Sequence, residues 1–259
     1  MSGLRGASNV RAVVFDTDGV LLDSASLHAA AWKAAFDGCL EVLASGASGR
    51  ERQPSFDADG EYRRLVDGKA RFDGARAFLE ARGLALPAGH ADDPPGCASV
   101  WAVAARKEQE FTQMLRTRAV PSFPDVVPAL DALRESGTGC AAVSASRHAR
   151  ELLEAAGIHR RFEAVIDGGE ATRLGLSGKP DPALFLEAAS RLRVHPRNTA
   201  VVEDALAGVE AGRRGDFCLV IGVDRAADPR RAAALADRGA DLVVRELTEL
   251  IGDLPGAPP

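Results

Sequence analysis

The sequence predicts an α/β fold, a doubly wound parallel sheet interrupted by an inserted α-helical domain, and three observations predict it. Short apolar runs rich in β-branched residues recur at 10–15, 139–143, 162–166, 199–202, 217–223 and 241–244. Each is apolar on both faces, as strands buried within a parallel sheet are. From residue 121 onward these runs alternate with helical patterns, the order of a sheet covered by helices on both sides. Between 25 and 120 the alternation stops, no convincing strand occurs, and Ala/Leu-rich helical periodicity replaces it.

Taken in order, the first strand is Val-Arg-Ala-Val-Val-Phe, ending at Asp16. Helical patterns then cover 25–44, 60–67, 73–83 and 99–118. In the first, Leu27, Ala31, Ala34 and Ala35 share one face at the spacing of an amphipathic helix. Polar breaks at Gly46 to Gly60 and Pro87 to Gly96, the latter with Asp92-Asp93-Pro94-Pro95, read as loops. The sheet resumes near Pro121, with helices expected at 125–136, 146–156, 181–193, 205–214 and 228–238. The predicted organisation is a Rossmann-like core from 1–24 and 121–259 and a helical domain at 25–120. The tail Pro255 to Pro259 is expected to be disordered. No internal repeat is evident.

Composition removes several classes. The chain has 259 residues, is 46% hydrophobic and 27% charged, and carries a formal net charge of −5. Its Lys and Arg are scattered and offer no basic face for nucleic acid. An anionic substrate would have to be held by a few local cations and a metal ion. No apolar run approaches the ~20 residues that cross a bilayer, and Met1 to Asn9 contains no apolar signal core. No membrane association, a cytoplasmic location and a monomer are therefore expected. Cys39, Cys97, Cys140 and Cys218 show no CxxC spacing, and Cys140 and Cys218 fall in strand-like runs. No disulfide framework is expected.

Chemistry concentrates where strands end. Asp16-Thr17-Asp18-Gly19-Val20 places two acids at the carboxyl end of the first strand, where open α/β sheets build their sites. Acids this close repel, so a cation must join them or one must take a proton. Such a pair can also be a solvated turn. Ser144-Ala145-Ser146 follows the second strand. Its hydroxyls and main-chain N–H groups suit phosphate oxygens at a helix start, or simply cap the helix. Lys179 precedes Pro180 at another helix entry, where an ammonium could offset clustered negative charge or merely be solvated. Glu203-Asp204 ends the strand at 199–202. These acids could dress a helix N-terminus or supply hard oxygen ligands to Mg2+.

That ordered set resembles the haloacid dehalogenase superfamily: Asp16-Thr17-Asp18-Gly19-Val20, Ser144, Lys179-Pro180 and Glu203-Asp204 match its four motifs in sequence. The resemblance covers residues 10 to 250, and the insert at 25–120 is similar to the family's helical cap. Asp23-Ser24, His28, Trp32, Ser144-Ala145-Ser146 and Lys179-Pro180-Asp181-Pro182 resemble the β-phosphoglucomutase-like branch. The resemblance implies Asp16 as nucleophile and Asp18 as general acid and base. It implies Ser144 and Lys179 as holders of the transferring oxygens. Mg2+ would be held by Asp16, the Asp18 carbonyl and Asp204, with Glu203 supporting or ligating. Substrate contacts are expected from Ala145, Ser146, His28, Arg71 (in Gly68-Lys69-Ala70-Arg71) and Lys107 (beside Arg106). A charged helix face is the plain alternative for Arg71 and Lys107, and a structural role for His28. Thr17 stands where a larger apolar residue is common in the family, and no chemical effect is expected of it.

The function implied is Mg2+-dependent phosphoryl transfer through an aspartyl phosphate on a small sugar phosphate. Asp18 argues against carbon–halogen cleavage, which has no alkoxide to protonate. Three readings stay open: a β-phosphoglucomutase-like mutase, favoured by His28, Arg71 and Lys107; a sugar-phosphate phosphatase; and a non-catalytic binding protein, disfavoured because no motif acid is missing.

Overall fold

The computed structural model describes residues 9–46 and 53–251. The expected tail at 255–259, most of the segment before Val10, and part of the break at 46–60 lie outside the described residues. Contacts divide the chain into two units, Ser24–Ala119 and the remainder.

In the larger unit six strands form one sheet: β1 (Ala12–Asp16), β2 (Gly139–Val143), β3 (Ala164–Ile166), β4 (Thr199–Glu203), β5 (Leu219–Val223) and β6 (Leu242–Val244). Their order is β3-β2-β1-β4-β5-β6 and every pair is parallel. The chain leaves β1 toward β2 on one side and later returns to place β4 on the other. The carboxyl ends of β1 and β4 thus flank the switch point, the place where such sheets leave a crevice. Residues of β1, β3 and β4 are buried on both faces, as are those of β2 and β5 beyond the first, while the edge strand β6 is partly exposed. On one face Val14, Ala141, Val143, Val201 and Val220 pack with Leu184, Phe185, Ala188, Val209 and Leu235.

Helices of this unit are α4 (Val126–Glu135), α5 (Ala149–Ala155), α6 (Gly168–Leu174), α7 (Ala183–Arg191), α8 (Leu206–Arg214) and α9 (Pro229–Arg238). The 3–4 spacing of Val126, Ala129, Leu130 and Leu133 in α4, and of Leu184, Phe185, Ala188 and Ala189 in α7, sets which stripe is buried. The α5 helix starts three residues later than its periodicity suggests. Ser144 and Ser146 hydroxyls accept from the main-chain N–H of Ser146 and His148, holding 144–148 in turns. Helix α6 has no apolar periodicity to betray it; it exists between the Asp167 cap and a left-handed Gly175 at φ +66°.

The smaller unit holds α1 (Ala25–Gly46), α2 (Arg71–Ala81) and α3 (Val100–Leu115). At Tyr62–Val66, where an α-helix was expected, the turns are wider: the Asp67 N–H donates to the Tyr62 carbonyl, a π-helical bond. Its core is aromatic. Phe36 stacks on Trp32 at 4.7 Å and on Phe78 at 3.8 Å, with Phe56 edge-on to Phe78 at 5.4 Å. Phe56 sits in the polar break yet is buried, and its N–H donates to Asp37 at 2.7 Å. Arg82 holds the same segment through the carbonyls of Pro54 and Ser55 and the carboxylate of Glu61.

The expectation of no disulfide is corrected here. Cys39 of α1 and Cys97, just before α3, are bonded, with Cα atoms 5.3 Å apart. They stand 58 positions apart in sequence, so only the packing of α1 on α3 brings them together. Cys140 and Cys218 are free, and burial pushes the Cys140 thiol up to about 12. Among the described residues no helix is long and apolar enough to cross a membrane.

Candidate active site

Asp16 is the last residue of β1 and Glu203 the last of β4, so adjacent strands deliver both acids to one edge of the sheet. Lys179, entering from the segment before α7, has a wholly buried side chain. Its ammonium donates to Oδ1 of Asp16 and, at 2.6 Å, to Oε1 of Glu203. It also stands 4.9 Å from the Phe185 ring centroid. The other oxygens are engaged too. Asp16 Oδ2 accepts from the Asp18 N–H at 2.9 Å, and Glu203 Oε2 accepts from the Ala205 N–H at 2.6 Å.

Asp18 turns to the neighbouring strand end. The Ser144 hydroxyl donates to its Oδ2 at 2.8 Å and accepts from the Ser146 N–H at 2.9 Å. Ala145 and Ser146 follow on the same half-buried loop. Asp204 is buried, and Arg231 of α9 donates to both its main-chain oxygen at 3.0 Å and its Oδ2 at 2.8 Å. Two glycines make this crowding possible. A Cβ on Gly19, whose φ is +81°, would overlap the Asp204 carboxylate, and one on Gly208 would overlap that of Glu203.

Burial pushes the Asp16 carboxyl well above its ordinary range; the Lys179 charge opposes this, while Glu203 and Asp18 add to the rise. Burial alone would lower the Lys179 ammonium, but Asp16 and Glu203 outweigh it and hold the lysine charged, above its usual value. The site thus carries more buried negative charge than its lysine satisfies. Carboxylate oxygens of Asp16, Glu203 and Asp204 lie within 4.8 Å of one another. An all-oxygen, acid-rich donor set with one member protonation-prone fits a hard divalent cation such as Mg2+. Within it Glu203 has both oxygens committed to Lys179 and to Ala205, which suits a supporting part better than a ligating one.

The remaining expected residues belong to the helical unit. Lys107 Nζ lies 3.0 Å from His28 Nδ1, both buried, and the His28 ring stacks on Phe111 at 4.0 Å. The ammonium is 4.5 Å from the Phe111 centroid and 5.7 Å from that of Trp32. Arg71, at the start of α2, lies 3.9 Å from Glu108 and 6.0 Å from the Trp101 ring. His28 and Lys107 are therefore neighbours, and Arg71 lies beside Glu108 and Trp101. Sequence reasoning missed Arg231 and gave no part to Thr17.

The sequence matches the family described as haloacid dehalogenase-like hydrolase over residues 10–216. A β-phosphoglucomutase of Mycobacterium bovis is 41% identical over 242 residues, 93% of this chain and 92% of that one. A β-phosphoglucomutase of Bacillus subtilis is 28% identical, covering 95% and 93%. The crystal structure of a β-phosphoglucomutase from Clostridium difficile superposes with a TM-score of 0.69 at 22% identity, covering 93% of each chain, and so shares the fold. On the strength of the match across most of its length, this chain belongs to the haloacid dehalogenase-like hydrolase family.

Proposed function

We propose that this chain is a Mg2+-dependent phosphomutase of the β-phosphoglucomutase type, acting on a small sugar phosphate through an aspartyl phosphate at Asp16. One observation carries the reading: Asp16 sits on Lys179, which also holds Glu203, while Asp18 sits on the Ser144 hydroxyl. In this reading Asp16 is the nucleophile, Asp18 the proton carrier, and Lys179 and Ser144 the phosphate-binding groups. The 41% identity to a β-phosphoglucomutase supports the choice of reaction.

In the first half-reaction a carboxylate oxygen of Asp16 bonds to phosphorus as the bond from phosphorus to the sugar oxygen breaks. Asp18 gives its proton to that departing oxygen. In the second, Asp18 takes the proton of an accepting sugar hydroxyl, whose oxygen bonds to phosphorus and releases Asp16. Proton transfer of this kind supplies about 10²–10⁴-fold. Ser144 donates to a phosphoryl oxygen, and Lys179 neutralises charge on the same group; alignment and charge compensation are most of what phosphoryl transfer asks of a protein. Asp16, Asp204 and the Asp18 carbonyl would hold Mg2+, with Glu203 behind them. The bound ion would act as a Lewis acid on the phosphoryl oxygens. The helical unit takes the part of cap, and His28, Lys107 and Arg71 that of recognising the second phosphate of a bisphosphate intermediate.

The test is turnover of β-glucose 1-phosphate and a panel of hexose phosphates in Mg2+, with and without glucose 1,6-bisphosphate. Isomerisation primed by the bisphosphate is expected. Release of inorganic phosphate without isomerisation would assign the protein as a sugar-phosphate phosphatase instead.

A further inference from the structure

Thr17 stands between the two acids of the first strand-end motif, and no step of the reaction above uses it. Its side chain is fully buried, and its hydroxyl donates to the Val143 carbonyl at 2.9 Å. Val143 is the residue that Asp16 pairs with across β1 and β2, and it directly precedes Ser144. Ser144 in turn donates back to Asp18. Two side-chain bonds therefore cross between the same pair of strand ends in opposite directions: Thr17 to the Val143 carbonyl, and Ser144 to the Asp18 carboxylate. They lie where the regular ladder of β1 and β2 has run out, since Asp16 with Val143 is its last pair.

The main chain of Thr17 has a related part. Its carbonyl accepts from the N–H of Leu21 at 3.0 Å and of Leu22 at 2.9 Å, which closes the turn that carries Asp18 and Gly19. One residue thus ties that turn to itself through its carbonyl and to β2 through its hydroxyl. A larger apolar residue could fill the space, but it would leave the Val143 carbonyl without this donor and the turn without its tie to β2.

We propose that Thr17 is a positioning residue. Its hydroxyl sets the placement of the Asp16–Asp18 turn over the end of β2, so that the Asp18 carboxylate and Ser144 hydroxyl meet in the geometry the transferring phosphoryl group needs. The inference rests on Asp16 and Asp18 being the reacting acids.

Thr17→Val keeps the shape and removes the donor; Thr17→Ser keeps the donor. Thr199→Val is the matched control. Thr199 is also fully buried, and its hydroxyl donates to the His195 carbonyl at 3.1 Å, but it begins β4, at the opposite end of the sheet. The readouts are kcat and KM with Mg2+ and either a hexose phosphate or p-nitrophenyl phosphate, the melting temperature, and main-chain hydrogen exchange. Misplacement of reacting groups by an ångström costs about 10²-fold, so Thr17→Val should lower kcat by about 10- to 100-fold with KM changed less than about 2-fold. Thr17→Ser, retaining the bond, should recover kcat to within about 3-fold of the parent. Thr199→Val should lower the melting temperature comparably and leave kcat unchanged. The amides of Leu21 and Leu22 should exchange faster in Thr17→Val alone.

Equal kinetics for the two Val variants, or Thr17→Ser as slow as Thr17→Val, would overturn the proposal. If Thr17→Val does not fold, Thr17→Cys, with similar volume and a weaker donor, carries the same comparison. A parent protein inactive on every phosphate ester would sink the functional reading instead. The exchange of Leu21 and Leu22 would still decide whether the Thr17 hydroxyl holds the turn.

Discussion

Replacing Lys179 by Met should cost the metal-free protein a large share of its stability, and the loss should depend on pH in a fixed direction. The ammonium is wholly buried and bonds both Asp16 and Glu203. Methionine fills a similar volume but leaves two buried carboxylates facing each other. Removing one partner of a buried ion pair costs about 3–5 kcal/mol. For a chain of this size each kcal/mol is about 2–4 °C of melting temperature, so a fall of roughly 6–20 °C follows. The sign with pH comes from both partners. Burial already raises the folded Asp16 carboxyl above its unfolded value of 3.8, and losing Lys179 raises it further. A raised carboxyl means that the native state holds a proton the unfolded state has lost. Its contribution to stability therefore falls as pH climbs from the unfolded value through the native one. The lysine's own contribution in the parent persists below its unfolded value of 10.5 and disappears only as pH rises through the still higher folded value. The penalty of Lys179→Met should thus be smallest near pH 5 and largest near pH 8. Circular-dichroism melts of both proteins in EDTA across that range measure it, and added Mg2+ should restore part of the loss. A variant that melts within about 1 °C of the parent at pH 8 in EDTA would refute the electrostatic account of the site.

Asp16→Asn is nearly isosteric and should abolish turnover, by at least about 10³-fold, while the melting temperature in EDTA stays level or rises, because an amide carries no buried charge. Lys179 then faces Glu203 alone; activity above about 1% of the parent would remove Asp16 from its role. The Cys39–Cys97 bond closes a loop spanning a separation of 58 residues, for which chain entropy gives about 4 kcal/mol. Reduction, or Cys39→Ser, should lower the melting of the helical unit accordingly. The unfolded, unreduced chain should titrate two thiols with Ellman's reagent, those of Cys140 and Cys218, and four titrating thiols would contradict the bond.

The parts of the molecule that could be read from sequence are those in which local pattern and topology coincide. Asp16, Ser144 and Glu203 each close or directly follow an apolar run, and a parallel sheet brings all such ends to one edge. Spacing along the chain then becomes proximity without any knowledge of side-chain packing. Where proximity depends on how helices pack, the sequence is silent. Arg231 meets Asp204 only because the first turn of α9 passes the end of β4, and nothing distinguishes it from Arg230 beforehand. Cys39 and Cys97 meet only through the packing of α1 on α3. Phe56 looked like loop because its neighbours are polar, yet burial beside Phe36 and Phe78 makes it core. Thr17 was passed over for a different reason: its type was read against a family habit, whereas its hydroxyl acts through the Val143 carbonyl, which no side-chain pattern encodes.

The charge pattern at the strand ends follows from the task they share. Lys179 bonds Asp16 and Glu203, Arg231 bonds Asp204, and the Ser144 hydroxyl bonds Asp18, so four acids crowd one edge of the sheet. Asp224, 3.9 Å from Arg231, adds another acid nearby. A fold selected for stability alone would gain by replacing some of these buried acids with apolar residues of similar size. Retaining them makes sense if a divalent cation supplies the missing charge. Burial, with Glu203 and Asp18 adding to it, raises the proton affinity of Asp16, and a protonated carboxyl would be a poor nucleophile. On the proposed reading, a bound cation would stabilise the site and favour the ionised Asp16 carboxylate, which Lys179 also bonds. Glu203 spends its two oxygens on Lys179 and the Ala205 N–H, so the lysine is shared between two acids.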